Sequence, residues 1–191
     1  MIGSSLLALE FWEQGRSASC PIYDMHGHMG TMASSYFPRP DAADMVRTMD
    51  ECGVRLLVFS HHSALFSPDL GNRLAIEAVR QFPGRLRAYC AVNPNYPEQF
   101  ETALPTLDGL IPDVYVGLKF LPDYHGIALT DDRYRPAWEY ANERALLVLT
   151  HSWGGSKLDG PKVIRKVAAR YPRVKLLLGH SCHGKWDAAV D

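Results

Sequence analysis

The sequence has few cysteines, no long apolar run and almost no net charge. Its four cysteines are widely spaced and form no CxxC pair, which favours reduced thiols in a cytoplasmic protein. No apolar stretch approaches the roughly 18 residues that cross a bilayer. The net charge of −1 attracts neither nucleic acid nor an anionic membrane. We therefore expect neither a membrane protein nor one that binds nucleic acid.

The first residues, MIGSSLLALEFWEQ, lack the basic segment that opens a secretory signal peptide. Their short apolar stretch is closely followed by Glu10, so we interpret residues 1–19 as an N-terminal arm or first helix. The remaining residues, 20–191, are enough for one domain with a sizeable core.

Short apolar, β-rich segments recur about every thirty residues along the chain. Six of them begin at Cys20, Val54, Leu86, Val114, Ala145 and Val174. Between them, apolar residues recur at helical spacing. Asp41 is a predicted N-cap, Gly53 a predicted helix end and Pro161 a predicted first helical residue, whereas Pro105 could end its helix early. Strands that alternate with helices in this way predict a parallel sheet.

Two architectures fit this alternation, an open doubly wound sheet and a (β/α)8 barrel of the TIM type. An open sheet would want a phosphate-binding turn after its first strand, but the sequence there is HGHMG, which matches neither GxGxxG nor GxxxxGK[ST]. We therefore predict an α/β TIM barrel. Eight units would need roughly 250 residues, so about six are present. Either a C-terminal part outside this sequence or another chain is expected to complete it.

All eight histidines lie at or just beyond the C-terminal end of a predicted strand, and none lies in a predicted helix. They are His26, His28, His61, His62, His125, His151, His180 and His183. In a barrel these strand ends open on one face, and that face carries the active site.

Alternation along the first strand gives its residues a predicted direction. In IYDMHGH, the side chains of Asp24, His26 and His28 share one side of the strand. If His26 points into the barrel mouth, so does His28, and Asp24 lies one layer deeper. Asp24 then either supports an imidazole or a backbone group, or is a plain buried hydrogen-bonding residue.

The same alternation brings in two later strands. Leu149 and His151 share a side of the fifth strand, and Leu176, Leu178 and His180 share a side of the sixth. Four imidazoles would then meet at one height, and neutral imidazole is the commonest protein ligand of metals such as zinc. The alternative is that each of these histidines is separately hydrogen-bonded and structural.

Other residues have more than one open interpretation each. Lys119 interrupts an apolar strand, and either its amine reaches solvent or its charge faces the substrate. A carbamylated Lys119 that bridges two metals is the less favoured reading. His61 and His62 are either substrate contacts or loop residues. Trp153 either lines a pocket or packs its loop onto the barrel rim.

The segments DMHGH, GLKFLP, VLTHS and LLGHS, in this order and spacing, resemble the amidohydrolase superfamily. Within it they resemble the amidohydrolase-related group of metal-dependent hydrolases and decarboxylases. The resemblance implies that His26, His28 and His151 hold one divalent metal, usually zinc or manganese, with a second metal less expected. It implies that His180 is the catalytic residue that moves a proton. The group also uses an aspartate at the end of an eighth strand, which this sequence lacks.

The implied activity is hydrolysis of a C–N or C–O bond in a small organic substrate by a metal-activated water. The first alternative is non-oxidative decarboxylation of an unsaturated or aromatic acid. The second is an inactive fragment that only binds metal or a partner. A homodimer is also expected from the resemblance.

Overall fold

The computed structural model describes residues 5–190, and its centre is one sheet of six parallel strands. The strands are β1 (Ile22–Met29), β2 (Val54–His61), β3 (Leu86–Ala91), β4 (Tyr115–Phe120), β5 (Leu147–Trp153) and β6 (Lys175–His183). They are hydrogen-bonded in chain order, so β1 and β6 each pair with a single neighbour within the described residues. The predicted TIM-barrel type, with six strand–helix units, is confirmed.

Helices alternate with the strands along the chain. They are α1 (Leu6–Gln14), α2 (Ala42–Cys52), α3 (Pro68–Gln81), α4 (Phe100–Asp108), α5 (Pro122–His125), α6 (Arg135–Glu143), α7 (Pro161–Arg170) and α8 (Asp187–Val190). Across residues 5–190, no helix combines the length and apolar character that a membrane crossing requires.

Local sequence signals explain where several helices begin and end. The Asp41 carboxylate accepts a hydrogen bond from the Asp44 backbone at 3.0 Å, and Gly53 ends α2 in the left-handed region. Pro161 opens α7 as expected. The possible break at Pro105 does not occur, because α4 runs through it. Burial of the apolar face of α4 outweighs the lost backbone hydrogen bond.

The N-terminal arm contains α1, which Ser5 caps by accepting a hydrogen bond from Ala8 N. The Glu10 carboxylate accepts hydrogen bonds from the backbone of Ala18 and Ser19, and so joins α1 to the chain that enters β1. The arm boundary at residue 19 stays a prediction, and residues 1–4 and 191 lie outside the described part of the chain.

The core has two layers separated by the sheet. The larger layer lies between sheet and helices and includes Phe59, Leu118 and Trp138. The smaller layer fills the inside of the barrel with Val58, Tyr89 and Leu149, against which Met25, Leu56 and Leu177 also pack. Because the interior is filled with side chains, the polar groups of the strand ends lie above an apolar floor.

Two predicted side-chain directions are wrong. The β1–β2 register shifts between Asp24 and Gly27, which is a bulge that interrupts alternation. Met25 therefore faces the interior, while Asp24 is exposed and its carboxylate accepts a hydrogen bond from His26 N at 2.9 Å. In β6, Leu177 faces the interior of the barrel. Leu176 and Leu178 were expected to face it, but they pack into the larger layer on the other side of the sheet.

Gly117 of β4 lies close to the backbone of β5, so a substitution there measures how tightly the two strands pack. A Cβ at this position would lie 1.9 Å from the backbone oxygen of Leu147, whereas a Cβ at Gly155 would meet open space. We expect Gly117→Ala to lower the free energy of unfolding in urea by about 2 kcal/mol, since overpacking forces a backbone shift. Gly155→Ala is the matched control and should leave the unfolding midpoint unchanged. Equal midpoints for the two variants would contradict this packing.

Candidate metal centre

The C-terminal ends of β1, β5 and β6 bring four imidazole rings together. The ring centroids of His26 and His28 are 5.3 Å apart, those of His26 and His180 are 5.4 Å apart, and those of His151 and His180 are 5.0 Å apart. Zn–N bonds are about 2.0–2.1 Å long, so two imidazoles on one tetrahedral ion have centroids on the order of 5 Å apart. The spacing of the rings therefore suits a shared ion.

Two glycines lie beside these rings at positions where a larger side chain would not fit. Gly27 separates His26 from His28 and faces outward, where a Cβ would lie 2.3 Å from Leu57 Cδ1. Gly179 of β6 faces inward, and a Cβ there would lie 2.8 Å from His26 Cε1. A larger side chain at either position would displace the β1 histidines or the strand beneath them.

A left-handed turn, and not strand alternation, brings His180 to the mouth. His180, Ser181 and Cys182 have φ angles of 67°, 48° and 53°, a conformation that costs roughly 1–2 kcal/mol per residue. The buried Ser152 hydroxyl holds this turn, since it donates to Gly179 O at 2.6 Å and accepts from Cys182 N at 3.0 Å. Trp153 stacks on the His180 ring with centroids 4.1 Å apart.

Lys119 lies beneath the histidines inside the barrel. Its side chain is 0% exposed, and its Nζ is 3.1 Å from His26 Nε2. The interpretation in which its amine reaches solvent is therefore wrong, because the bulged β4 strand turns the lysine inward. Burial lowers the pKa of Lys119 to about 7.

Burial also keeps the imidazoles uncharged. It lowers the pKa of His26 to about 4 and those of His28 and His151 to about 3, and the nearby charge of Lys119 adds to the effect. The pKa of His180 is lowered for the same reasons. At neutral pH each ring therefore keeps a nitrogen lone pair, which is the form that binds a metal.

The donors fit a divalent metal in number, type and charge. His28 Nδ1 is buried and has no hydrogen-bond partner, so it is an unsatisfied polar atom within this group. Within residues 5–190, however, no three His, Cys, Asp or Glu side chains are arranged to hold an ion as they stand. Binding therefore requires the rings to turn. The aspartate of an eighth strand also has no counterpart among the six strands of this region.

His62, which directly follows the second strand, joins this group, whereas His61, the last residue of that strand, lies elsewhere. His62 stacks on His28 with centroids 5.0 Å apart, and its Nδ1 is 2.6 Å from Gly30 O. His61 accepts a hydrogen bond from Ser63 N and lines a separate cavity of about 700 Å³ beside α2 and α3. Val58 faces the barrel interior, and strand alternation from it would have predicted that His62 faces the same side.

The mouth itself is a cavity of about 170 Å³. Beside the imidazoles of β1, β5 and β6, its walls are Met32, His62, Leu65, Tyr124 and Trp153. The Trp153 ring thus lines the cavity, and its Nε1 donates to Asp123 Oδ2 at 2.6 Å. Asp123 and Tyr124 lie in the short α5 helix after β4, and no sequence motif marks them.

His125 has a different environment from the other histidines. Its Nε2 is 2.9 Å from Leu65 O, and its Nδ1 is 3.3 Å from the Tyr134 hydroxyl. Because both ring nitrogens are engaged and the side chain is buried, His125 connects the loops below the mouth.

Comparison with known proteins identifies the family. A family model described as Amidohydrolase matches residues 23–191, which include β2 to β6 and all of β1 but its first residue. The chain belongs to this amidohydrolase family. The sequence resemblance is thereby confirmed. Among proteins with curated descriptions, none matches this sequence.

Solved structures with the same fold include enzymes of two kinds. One is 2,6-dihydroxybenzoate decarboxylase from Rhizobium, with 16% sequence identity and a TM-score of 0.63; the match covers 85% of this chain and 66% of that one. Another is 5-carboxyvanillate decarboxylase from Novosphingobium aromaticivorans, solved with manganese, with 15% identity and a TM-score of 0.64 over 89% of this chain and 66% of that one. A third is a probable 2-pyrone-4,6-dicarboxylic acid hydrolase from Acinetobacter baumannii, with 15% identity and a TM-score of 0.59 over 90% of this chain and 66% of that one. The amidohydrolase chain described here thus spans about two thirds of their length. At these identities the likeness shows the fold alone.

The lowered pKa values predict a pH-dependent stability for the metal-free amidohydrolase chain. Unfolded histidines have a pKa of about 6.5, so below this pH the unfolded state binds more protons than the folded state. The contribution of these imidazoles to stability should be full above about pH 6.5 and should fall as the pH drops toward 4. Urea unfolding at pH 7.5 and 5.0 with a chelator present would measure this.

His28→Asn is the control for this experiment, because it removes one buried imidazole and cannot titrate. It should lose less stability than the unsubstituted chain between the two pH values. A urea midpoint that does not depend on pH would contradict the burial of neutral imidazoles at the mouth.

Proposed function

We propose that the chain provides the metal site of a metal-dependent hydrolase that cleaves a C–N or C–O bond in a small organic substrate. The observation that carries this proposal is the convergence of four neutral imidazoles at the barrel mouth. Support comes from membership of the amidohydrolase family. The chain spans about two thirds of the length of the similar structures.

In this proposal His26, His28 and His151 hold one divalent ion. Imidazole donors suit zinc, and the manganese in 5-carboxyvanillate decarboxylase makes that ion the second choice. When bound, the ion lowers the pKa of water and polarises a substrate carbonyl. Lys119 lies behind His26, so its role is to hold that ring and not to face the substrate.

His180 is the proposed proton carrier. Its ring is uncharged at neutral pH and therefore can accept a proton from water. Stacking on Trp153 and the left-handed turn keep it beside His151. The cavity of about 170 Å³ limits the substrate to a small molecule. A homodimer remains a prediction.

The second candidate is non-oxidative decarboxylation, which the ring-lined walls of the cavity favour. Tyr124, Trp153 and His62 present flat rings that can stack on a planar acid. In that reaction His180 would protonate the carbon that loses CO2. The same metal donors would serve both reactions, so the products decide between them.

The metal assignment predicts different effects for two histidines. His26→Ala should weaken binding of Zn²⁺ or Mn²⁺ at least 100-fold, because it removes a donor, while circular dichroism stays unchanged. His180→Asn should keep the metal and abolish turnover. His183→Ala is the control, since this exposed histidine is not a proposed ligand. Unchanged metal stoichiometry in His26→Ala, measured by mass spectrometry of the metal content, would contradict the assignment.

Product analysis in H2¹⁸O separates the two reactions. Incubation of the metal-loaded protein with a panel of lactones, amides and aromatic acids should place ¹⁸O in the product if the enzyme is a hydrolase. Release of CO2 without incorporation of ¹⁸O would replace hydrolysis by decarboxylation. Metal binding without turnover of any compound in the panel would leave only a binding role.

A further inference from the structure

We propose that Ser152 is a positioning residue for His180, because its hydroxyl joins the backbone on both sides of His180 and so holds that imidazole beside the metal donors. Ser152 acts through the backbone of β6 and is not among the residues that line the mouth cavity. The inference rests on the proposed function, in which His180 carries the proton.

The strand β6 has more residues than β5 at the point where the two strands end. They pair His151 with Gly179 and then Trp153 with His183. Between these two pairs, β5 has only Ser152, whereas β6 has three residues. Those three are His180, Ser181 and Cys182. The additional residues leave the ladder and re-aim a side chain, as in a β-bulge, and the side chain that they re-aim is the imidazole.

The turn that results has a backbone conformation that residues other than glycine seldom adopt. The φ angles of His180, Ser181 and Cys182 are 67°, 48° and 53°, which lie in the left-handed region. A strained backbone of this kind persists only where the surrounding structure determines it. A contact from outside the turn must therefore hold it.

The hydroxyl of Ser152 provides that contact at both ends of the turn. It donates to Gly179 O at 2.6 Å and accepts from Cys182 N at 3.0 Å. A hydroxyl can donate and accept at the same time, and a methyl group can do neither. Ser152 and Cys182 are both 0% exposed, so water does not reach the Cys182 N–H if the hydroxyl is removed.

The position of the imidazole follows from the position of the turn. The His180 ring stacks on Trp153 with centroids 4.1 Å apart and meets the His151 ring edge-on at 5.0 Å. Stacking sets the height of one ring above another but lets the rings slide, so the backbone has to fix where the side chain begins. Loss of the hydroxyl should therefore release His180 without removal of a metal donor.

The stacking on Trp153 gives a direct measurement of this position. At pH 7.5, ¹H–¹³C NMR of the metal-free chain, labelled at histidine, should show the imidazole protons of His180 shifted upfield by the indole ring. The absence of this signal in His180→Asn identifies it. Ser152→Ala should abolish the upfield shift. Ser181→Ala removes an exposed hydroxyl of the same turn and is the matched control, which should keep it. An upfield shift that survives in Ser152→Ala would overturn the proposal.

Metal affinity separates the support of His180 from a support of His151. Loss of a group that supports a metal ligand typically weakens binding by about 10–100-fold, whereas Ser152→Ala should bind Zn²⁺ within about threefold of the unsubstituted chain in a chelator competition. The reason is that the turn provides no donor to the ion. A loss of about tenfold or more would mean that the hydroxyl acts on His151, and it would overturn the assignment to His180.

Amide exchange tests the hydroxyl contact without any variant. In the unsubstituted chain the Cys182 N–H donates to a buried hydroxyl, so it should exchange with deuterium at least about tenfold more slowly than in an unstructured peptide. Exchange of this amide at the unstructured rate would overturn the proposal even if Ser152→Ala does not fold.

The two proposals fail in different ways. If Ser152→Ala abolishes the upfield shift of His180 but the unsubstituted chain binds no Zn²⁺ or Mn²⁺, the metal-dependent function fails and the positioning of His180 by Ser152 stands. If the chain binds Zn²⁺ and Ser152→Ala keeps the upfield shift, the positioning role is overturned and the proposed function stands.

Discussion

Parallel pairing of all six strands is the constraint on which the site depends. Because every strand runs in the same direction, every C-terminal end opens at one edge of the sheet. Residues more than a hundred positions apart, such as His26 and His151, thereby become neighbours without any local sequence relation. The apolar interior beneath them then removes water from the imidazoles, and this desolvation keeps them uncharged.

The fold was predictable from the sequence because its signals are local and repeated. An apolar segment about every thirty residues, with helical spacing between, requires only short-range patterns that each unit carries independently. The positions of the histidines relative to these segments were predictable for the same reason. Alternation also gave the direction of His151 correctly, because β5 pairs with β4 without a register shift.

The details of the site were less predictable because they depend on broken patterns. A bulge in β1 exposes Asp24, and a left-handed turn after Gly179 places His180, and neither feature follows from alternation. The complete burial of Lys119 depends on contacts across the barrel. Asp123 is an ordinary acid of a short helix in sequence, and only the tertiary structure shows that its carboxylate lies beside His151.

Trp153 joins the two halves of this arrangement. Its indole N–H donates to Asp123, and its ring face stacks on His180. One side chain thus contacts the carboxylate beside His151, the proposed metal donor, and the ring of His180, the proposed proton carrier. Substitutions at Asp123 and at His180 act through this common neighbour, so their effects should be energetically coupled and not additive. Adaptation of the mouth to a new substrate would therefore have to change both sides of Trp153 together.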